Sequence, residues 1–194
     1  SIDAPSNTVG GTTSTTRNII SGNVQEGIVL TANADSSIIR GNYIGTDATG
    51  LLDRGNGGSG IWIQVGADNN TIGGNIAGAG NVISGNNGEG IALFGGNSNT
   101  ISGNLIGLGA DGSTAVGNSF DGIHIASAAA NNTIGGTTAL ERNVISANSS
   151  RGVQIEGFGS TNNVVLGNYI GTDSTGALDR GNGLNGILVG NSAG

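Results

Sequence analysis

Apolar residues recur along this chain in clusters of two to four, each cluster closed by Gly, Asn, Ser or Asp. Such short runs rich in Ile and Val, bounded by turn formers, predict strands. No segment holds a 3.6-residue period for ten residues, and glycine interrupts every candidate, so helix is not expected. The clusters are copies of one another. Asn70-Thr71-Ile72-Gly73-Gly74, Asn81-Val82-Ile83-Ser84-Gly85-Asn86 and Gly90-Ile91-Ala92-Leu93 are repeated from Asn7 and again from Asn132. Self-similarity at a fixed period is the signature of a solenoid whose units stack.

Three repeats follow, at about 6–68, 69–130 and 131–194, and each divides again into two coils. The aliphatic of the first strand falls at Val9, Ile39, Ile72, Ile101, Ile134 and Val165, which gives six coils of three strands. Alternation assigns one inward residue to strand one, one to strand two and two to strand three. The inward files are then Val9 to Val165, Ile20 to Ile170, Ile28 to Ile187 and Leu30 to Val189. Two residues before every strand-two aliphatic stands an asparagine: Asn18, Asn42, Asn81, Asn104, Asn143 and Asn168. A buried amide must find partners, and copies about 4.8 Å apart bond one another. The expectation is an internal Asn ladder inside an all-β, right-handed, single-stranded parallel β-helix of about six coils and three short parallel sheets. Read as one solenoid over 1–194, the chain looks cut from a longer array. Ser1-Ile2-Asp3 reads as the tail of a third strand, Val189-Gly190-Asn191-Ser192 runs toward another first strand, and neighbouring coils of an adjacent chain are natural partners.

The phrase N-x-I-x-G-N-x-I followed by G-I-x-L resembles the right-handed parallel β-helix repeats of the pectate-lyase-like fold. It is especially similar to repeat arrays of large secreted bacterial surface proteins. That resemblance covers essentially the whole chain and implies the fold; it implies little about activity, because lyases, hydrolases, adhesins and stalks share it.

Composition narrows the functions. Forty glycines in 194 residues without a triplet period fit a turn-rich folded chain. Thirteen acids against six arginines, with no lysine, exclude a phosphate-neutralising nucleic-acid surface. No apolar run is long enough to span a bilayer, and without cysteine there is no disulfide or thiolate-metal site.

Candidate chemistry lies at three places. The outward columns of strand three read Val29, Trp62, Ala92, His124, Gln154, Leu188 and Thr31, Gln64, Phe94, Ala126, Glu156, Gly190. Trp62, Phe94, His124 and Gln154 there suit sugar rings and their hydroxyls. The position before the strand-three glycine reads Glu26, Ser59, Glu89, Asp121, Arg151, Asn185. Glu89 and Asp121 on adjacent coils resemble the spacing of a glycosidase carboxylate pair, with Arg151 a base or substrate clamp; equally, the three form a solvated ion network. The outward column of strand one, Thr8, Ile38, Thr71, Thr100, Thr133 and Val164, is a twice-broken threonine array of the kind that binds ice. Long loops follow strand two in even coils (46–59, 108–121, 172–185). Oxygen donors around Asp47 and Asp173 suit calcium, but the middle loop has Gly109 at that place, and turn-forming residues and Asp–Arg pairs explain them as well. No cofactor is expected. The functional expectation is a non-catalytic structural or adhesive module, extracellular or on a bacterial surface, contacting polysaccharide or stacking head to tail; the rival is a polysaccharide-active enzyme.

Overall fold

A computed structural model describes residues 1–190; Asn191-Ser192, assigned above to the approach of a further strand, lies outside the described residues. Coil one is β1 (Thr8–Gly10), β2 (Ile19–Ile20) and β3 (Ile28–Leu30); coil two is β4 (Ile38–Arg40), β5 (Tyr43–Ile44) and β6 (Ile61–Ile63). Next come β7 (Thr71–Gly73), β8 (Val82–Ile83) and β9 (Ile91–Phe94), then β10 (Thr100–Ser102), β11 (Leu105–Ile106) and β12 (Ile123–Ala126). The last two coils are β13 (Thr133–Gly135), β14 (Val144–Ile145), β15 (Val153–Ile155), β16 (Val164–Leu166), β17 (Tyr169–Ile170) and β18 (Ile187–Val189). A single turn of 3₁₀ helix, Ser14–Thr16, is the one helical element among the described residues.

Every third strand pairs in parallel, giving three six-stranded sheets: β1-β4-β7-β10-β13-β16, β2-β5-β8-β11-β14-β17 and β3-β6-β9-β12-β15-β18. The molecule is a parallel β-solenoid. Register follows the repeated words: Ile39 lies opposite Val9 and Ile72, Ile106 opposite Ile83 and Ile145, and Ile125 opposite Leu93 and Ile155. These inward files are fully buried through the middle coils, and like side chains stack on like. Burial at about 25 cal/mol per Å² of apolar surface favours this arrangement. Ile187 and Val189 of β18 are exposed, with no further coil over them among the described residues. At the other end Ile2 pairs with Leu30, extending the third sheet as its position predicts.

The Asn ladder forms without a gap. Each side-chain Nδ2 donates to the Oδ1 of the next, from Asn18 through Asn42, Asn81, Asn104 and Asn143 to Asn168, at 2.9–3.1 Å. Two further files were not anticipated. One runs Asn23, Asn56, Asn86, Asn118, Asn148, Asn182 at 2.7–3.0 Å. The other descends through Ser37, Asn70, Asn99, Asn132 and Asn163, mostly by backbone N–H to side-chain oxygen. All three corners of the tube are therefore lined by stacked polar side chains, which satisfies backbone groups that a sharp buried turn would otherwise orphan.

The long loops stack on one another: Ala110 N–H donates to Gly50 O and Ser174 N–H to Gly112 O, both at 2.9 Å. The expected Asp–Arg side-chain pairs within them do not form among the described residues. Arg54 and Arg180 instead donate to the carbonyls of Asp53 and Asp179, while those carboxylates accept from Gly55 and Gly181 N–H. A carboxylate two residues before a free N–H is captured by that turn before it can reach its neighbour's guanidinium.

Candidate functional site

The chemistry-bearing residues converge on the outer face of the third sheet. Strand alternation turns Trp62 of β6 and His124 of β12 outward, between inward Ile61 and Ile63 and inward Ile123 and Ile125. Register then sets Ala92 opposite both Trp62 and His124, and Gln154 opposite His124. The Phe94 ring meets the His124 ring edge-on, with centroids 5.0 Å apart.

Two carboxylates bracket His124. Its Nε2 lies 3.2 Å from Glu156 Oε1, and its Nδ1 lies 3.7 Å from Glu89 Oε1. Glu89 also accepts from Ser59 Oγ at 2.8 Å. Asp121, only 4% exposed, turns to other partners: it accepts from Arg151 backbone N–H at 2.8 Å and lies 3.7 Å from that guanidinium. Arg151 in turn donates to Gln154 Oε1 at 2.8 Å, which explains why an outward Gln is buried. Thus Glu89 and Asp121, adjacent along the rod, serve separate pairs.

His124 beside Glu89 holds that carboxyl below its ordinary value, ahead of the opposing effect of burial. For His124, burial is the largest influence and disfavours the charge, but Glu89, Asp121 and Glu156 together outweigh it and raise the imidazole. A raised imidazole stabilises the fold fully below its ordinary 6.5, and this contribution is lost as pH climbs through the raised value. A lowered carboxyl acts oppositely, stabilising above 4.5 and losing that as pH falls through the lowered value. The cluster is therefore expected to be strongest between about pH 4.5 and 6.5. In an NMR titration His124 should show a midpoint above 6.5 that drops in Glu89→Gln. A wild-type midpoint below 6.5 would mean that burial prevails.

Two open grooves flank the aromatic pair. One, of about 190 Å³, is lined by Glu26, Ser59, Trp62, Glu89, Ala92 and Phe94. The other, about 380 Å³, lies against Trp62, Gln64, Val65, Phe94 and Ser127. Trp62 Nε1 is buried without a hydrogen-bond partner among the described residues. A hollow of about 400 Å³ beside Ile155, Phe158 and Val189 has no charged side chain in its lining.

Asp47 and Asp173 lie elsewhere, in the long loops. Asp47 Oδ1 accepts from Leu51 and Leu52 N–H and from Thr49 Oγ1 at 2.8–3.2 Å, and Asp173 repeats the pattern with Thr175, Ala177 and Leu178. In the middle loop Asp111, not read as equivalent from sequence, closes the turn through Ser113 and Thr114. Among the described residues no three of His, Asp and Glu group as metal ligands would. No helix among them is long and apolar enough to cross a membrane.

Glu156 is the site member that the sequence placed but did not join to its partner. It sits two residues beyond Gln154, the register partner of His124, so their contact is diagonal. Phe94 reaches His124 by the same diagonal from Ala92. In comparisons with protein-family models, with curated proteins and with solved structures, nothing matches this chain.

Proposed function

We propose that this chain is a rigid structural module of a secreted or cell-surface protein, adhesive through the outer face of its third sheet, where it contacts polysaccharide. The observation that carries this reading is the contrast between two sets of aromatic rings. On the second sheet Tyr43 and Tyr169 are each covered by an arginine, Arg17 and Arg142, at 4.0 Å. Tyr43 borders a groove of about 250 Å³ as well, but with Arg17 over its ring. On the third sheet Trp62 and Phe94 border open grooves with Gln64, Ser59 and Glu89 beside them as hydroxyl partners, and no arginine lines either groove. Apolar ring faces and polar edges side by side match the amphipathic surface of a sugar. A file of coils held by three polar ladders supplies a stiff platform for such contacts, and the repeated words support placing the chain with the pectate-lyase-like β-helices.

Polysaccharide cleavage is a second reading, favoured by the clustering of Glu89, Asp121, His124, Arg151 and Glu156 on that same face. One experiment addresses both. On a glycan array the parent should bind at least one polysaccharide class, and Trp62→Ala should weaken that binding about tenfold, the scale of a lost ring contact. Equal binding by the variant would remove this face from the account. Incubating the bound glycan with parent and with Glu89→Gln/Asp121→Asn decides cleavage: no new chain ends from the parent would eliminate the enzyme.

A further inference from the structure

Charge around the smaller groove is one-sided. Glu26 and Glu89 both line it, and no lysine exists anywhere in the chain to offset them. Glu89 is engaged by His124 and Ser59. Glu26 is different: it is half-buried at the groove wall and has neither a hydrogen bond nor an ion pair among the described residues. A partly buried carboxylate with no partner is free to meet a cation that enters the groove. The same groove is walled by Trp62 and Phe94, whose faces attract cations.

Resting on the glycan reading above, we infer that this groove takes a cationic amino sugar, a hexosamine bearing a free ammonium group, rather than a uronic acid or an N-acetylated sugar. The ammonium sits between the Glu26 and Glu89 carboxylates, and the apolar ring face lies on Trp62 and Phe94. Acetylation removes the charge and adds bulk. A uronic acid would set a third carboxylate beside two.

Trp62 is the only tryptophan, so its fluorescence reports occupancy directly. Titration with a fully deacetylated β-1,4-glucosamine hexamer should change that emission saturably. The N-acetylated hexamer should bind at least tenfold more weakly, and a galacturonate hexamer should give no saturable change. Glu26→Gln should lower affinity for the deacetylated hexamer about tenfold, as loss of one partly desolvated ion pair implies. Because Glu26 has no hydrogen bond or ion pair among the described residues, unchanged circular dichroism is expected of that variant. If the acetylated or acidic hexamer binds equally well or better, the amino-sugar inference falls while glycan contact stands. If no oligosaccharide binds, both fall. Equal binding of lysine hexapeptide would also overturn the inference, since charge alone would then suffice.

Discussion

Replacing Asn104 by alanine is expected to destabilise the protein by about 3–5 kcal/mol, far more than the same change at Asn168. Asn104 is fully buried in the middle of its file. It accepts from Asn81 backbone N–H and Nδ2, and donates to Ile72 O, Ser102 O and Asn143 Oδ1, all at 2.9–3.1 Å. Truncation orphans several of these groups where water does not reach, and each orphan costs about 1–3 kcal/mol. Asn168 makes similar bonds in a half-buried setting, where water replaces part of what is lost, so about 1–2 kcal/mol is expected. Urea denaturation of both variants measures the difference. Equal losses, or under 1 kcal/mol for Asn104→Ala, would show that the ladder is a by-product of stacking and not a support.

The second large effect is at Gly73. Its φ of +91° is unfavourable for any side chain, and a Cβ there would collide with Ser102 O, a backbone atom of the next coil. Conformation and contact add, so Gly73→Ala should cost about 4 kcal/mol or more, at the rare end of single substitutions. Gly22 separates the two causes. Its φ is +70°, yet nothing lies within 4 Å of its notional Cβ. Gly22→Ala should lose only the conformational part, about 1–2 kcal/mol. Comparable losses at the two positions would mean that coil-to-coil closeness contributes little.

Coil architecture was legible because it depends on inward residues alone. Each inward file is filled by Ile, Val or Leu at one place in a repeated word, so register could be read by aligning the words. Only one of the three ladders was read, although the other two carry signals as regular. Asn23, Asn56, Asn86, Asn118, Asn148 and Asn182 each stand five residues before the strand-three aliphatic. In even coils a long loop separates them from strand two, and this hides the correspondence. The third file is interrupted by Ser37, whose hydroxyl accepts from Asn7 N–H in place of an amide oxygen while its own backbone N–H donates to Asn70 Oδ1.

The site was legible as a face but not as a set of contacts. Alternation put Trp62 and His124 on one surface, yet turn residues such as Glu89 and Asp121 have no period from which direction could be read. Their side chains are steered by individual partners: Ser59 and His124 for Glu89, Arg151 for Asp121. The stacking of Arg17 on Tyr43 was likewise out of reach, because it joins a loop end to a strand of the next coil.

The claim on which all of this rests is that neighbouring coils stack in the stated register, and the lack of native cysteine allows a direct measurement. Thr71, Thr100 and Thr133 form one outward column on three successive coils. Adjacent members lie about 4.8 Å apart, within the reach of a disulfide, whereas the outer two are separated by about twice that. Under mild oxidation Thr71→Cys/Thr100→Cys should cross-link within the monomer, and Thr71→Cys/Thr133→Cys should not. Cross-linking of the second pair, or none in the first, would contradict the solenoid and the third-sheet site built on it.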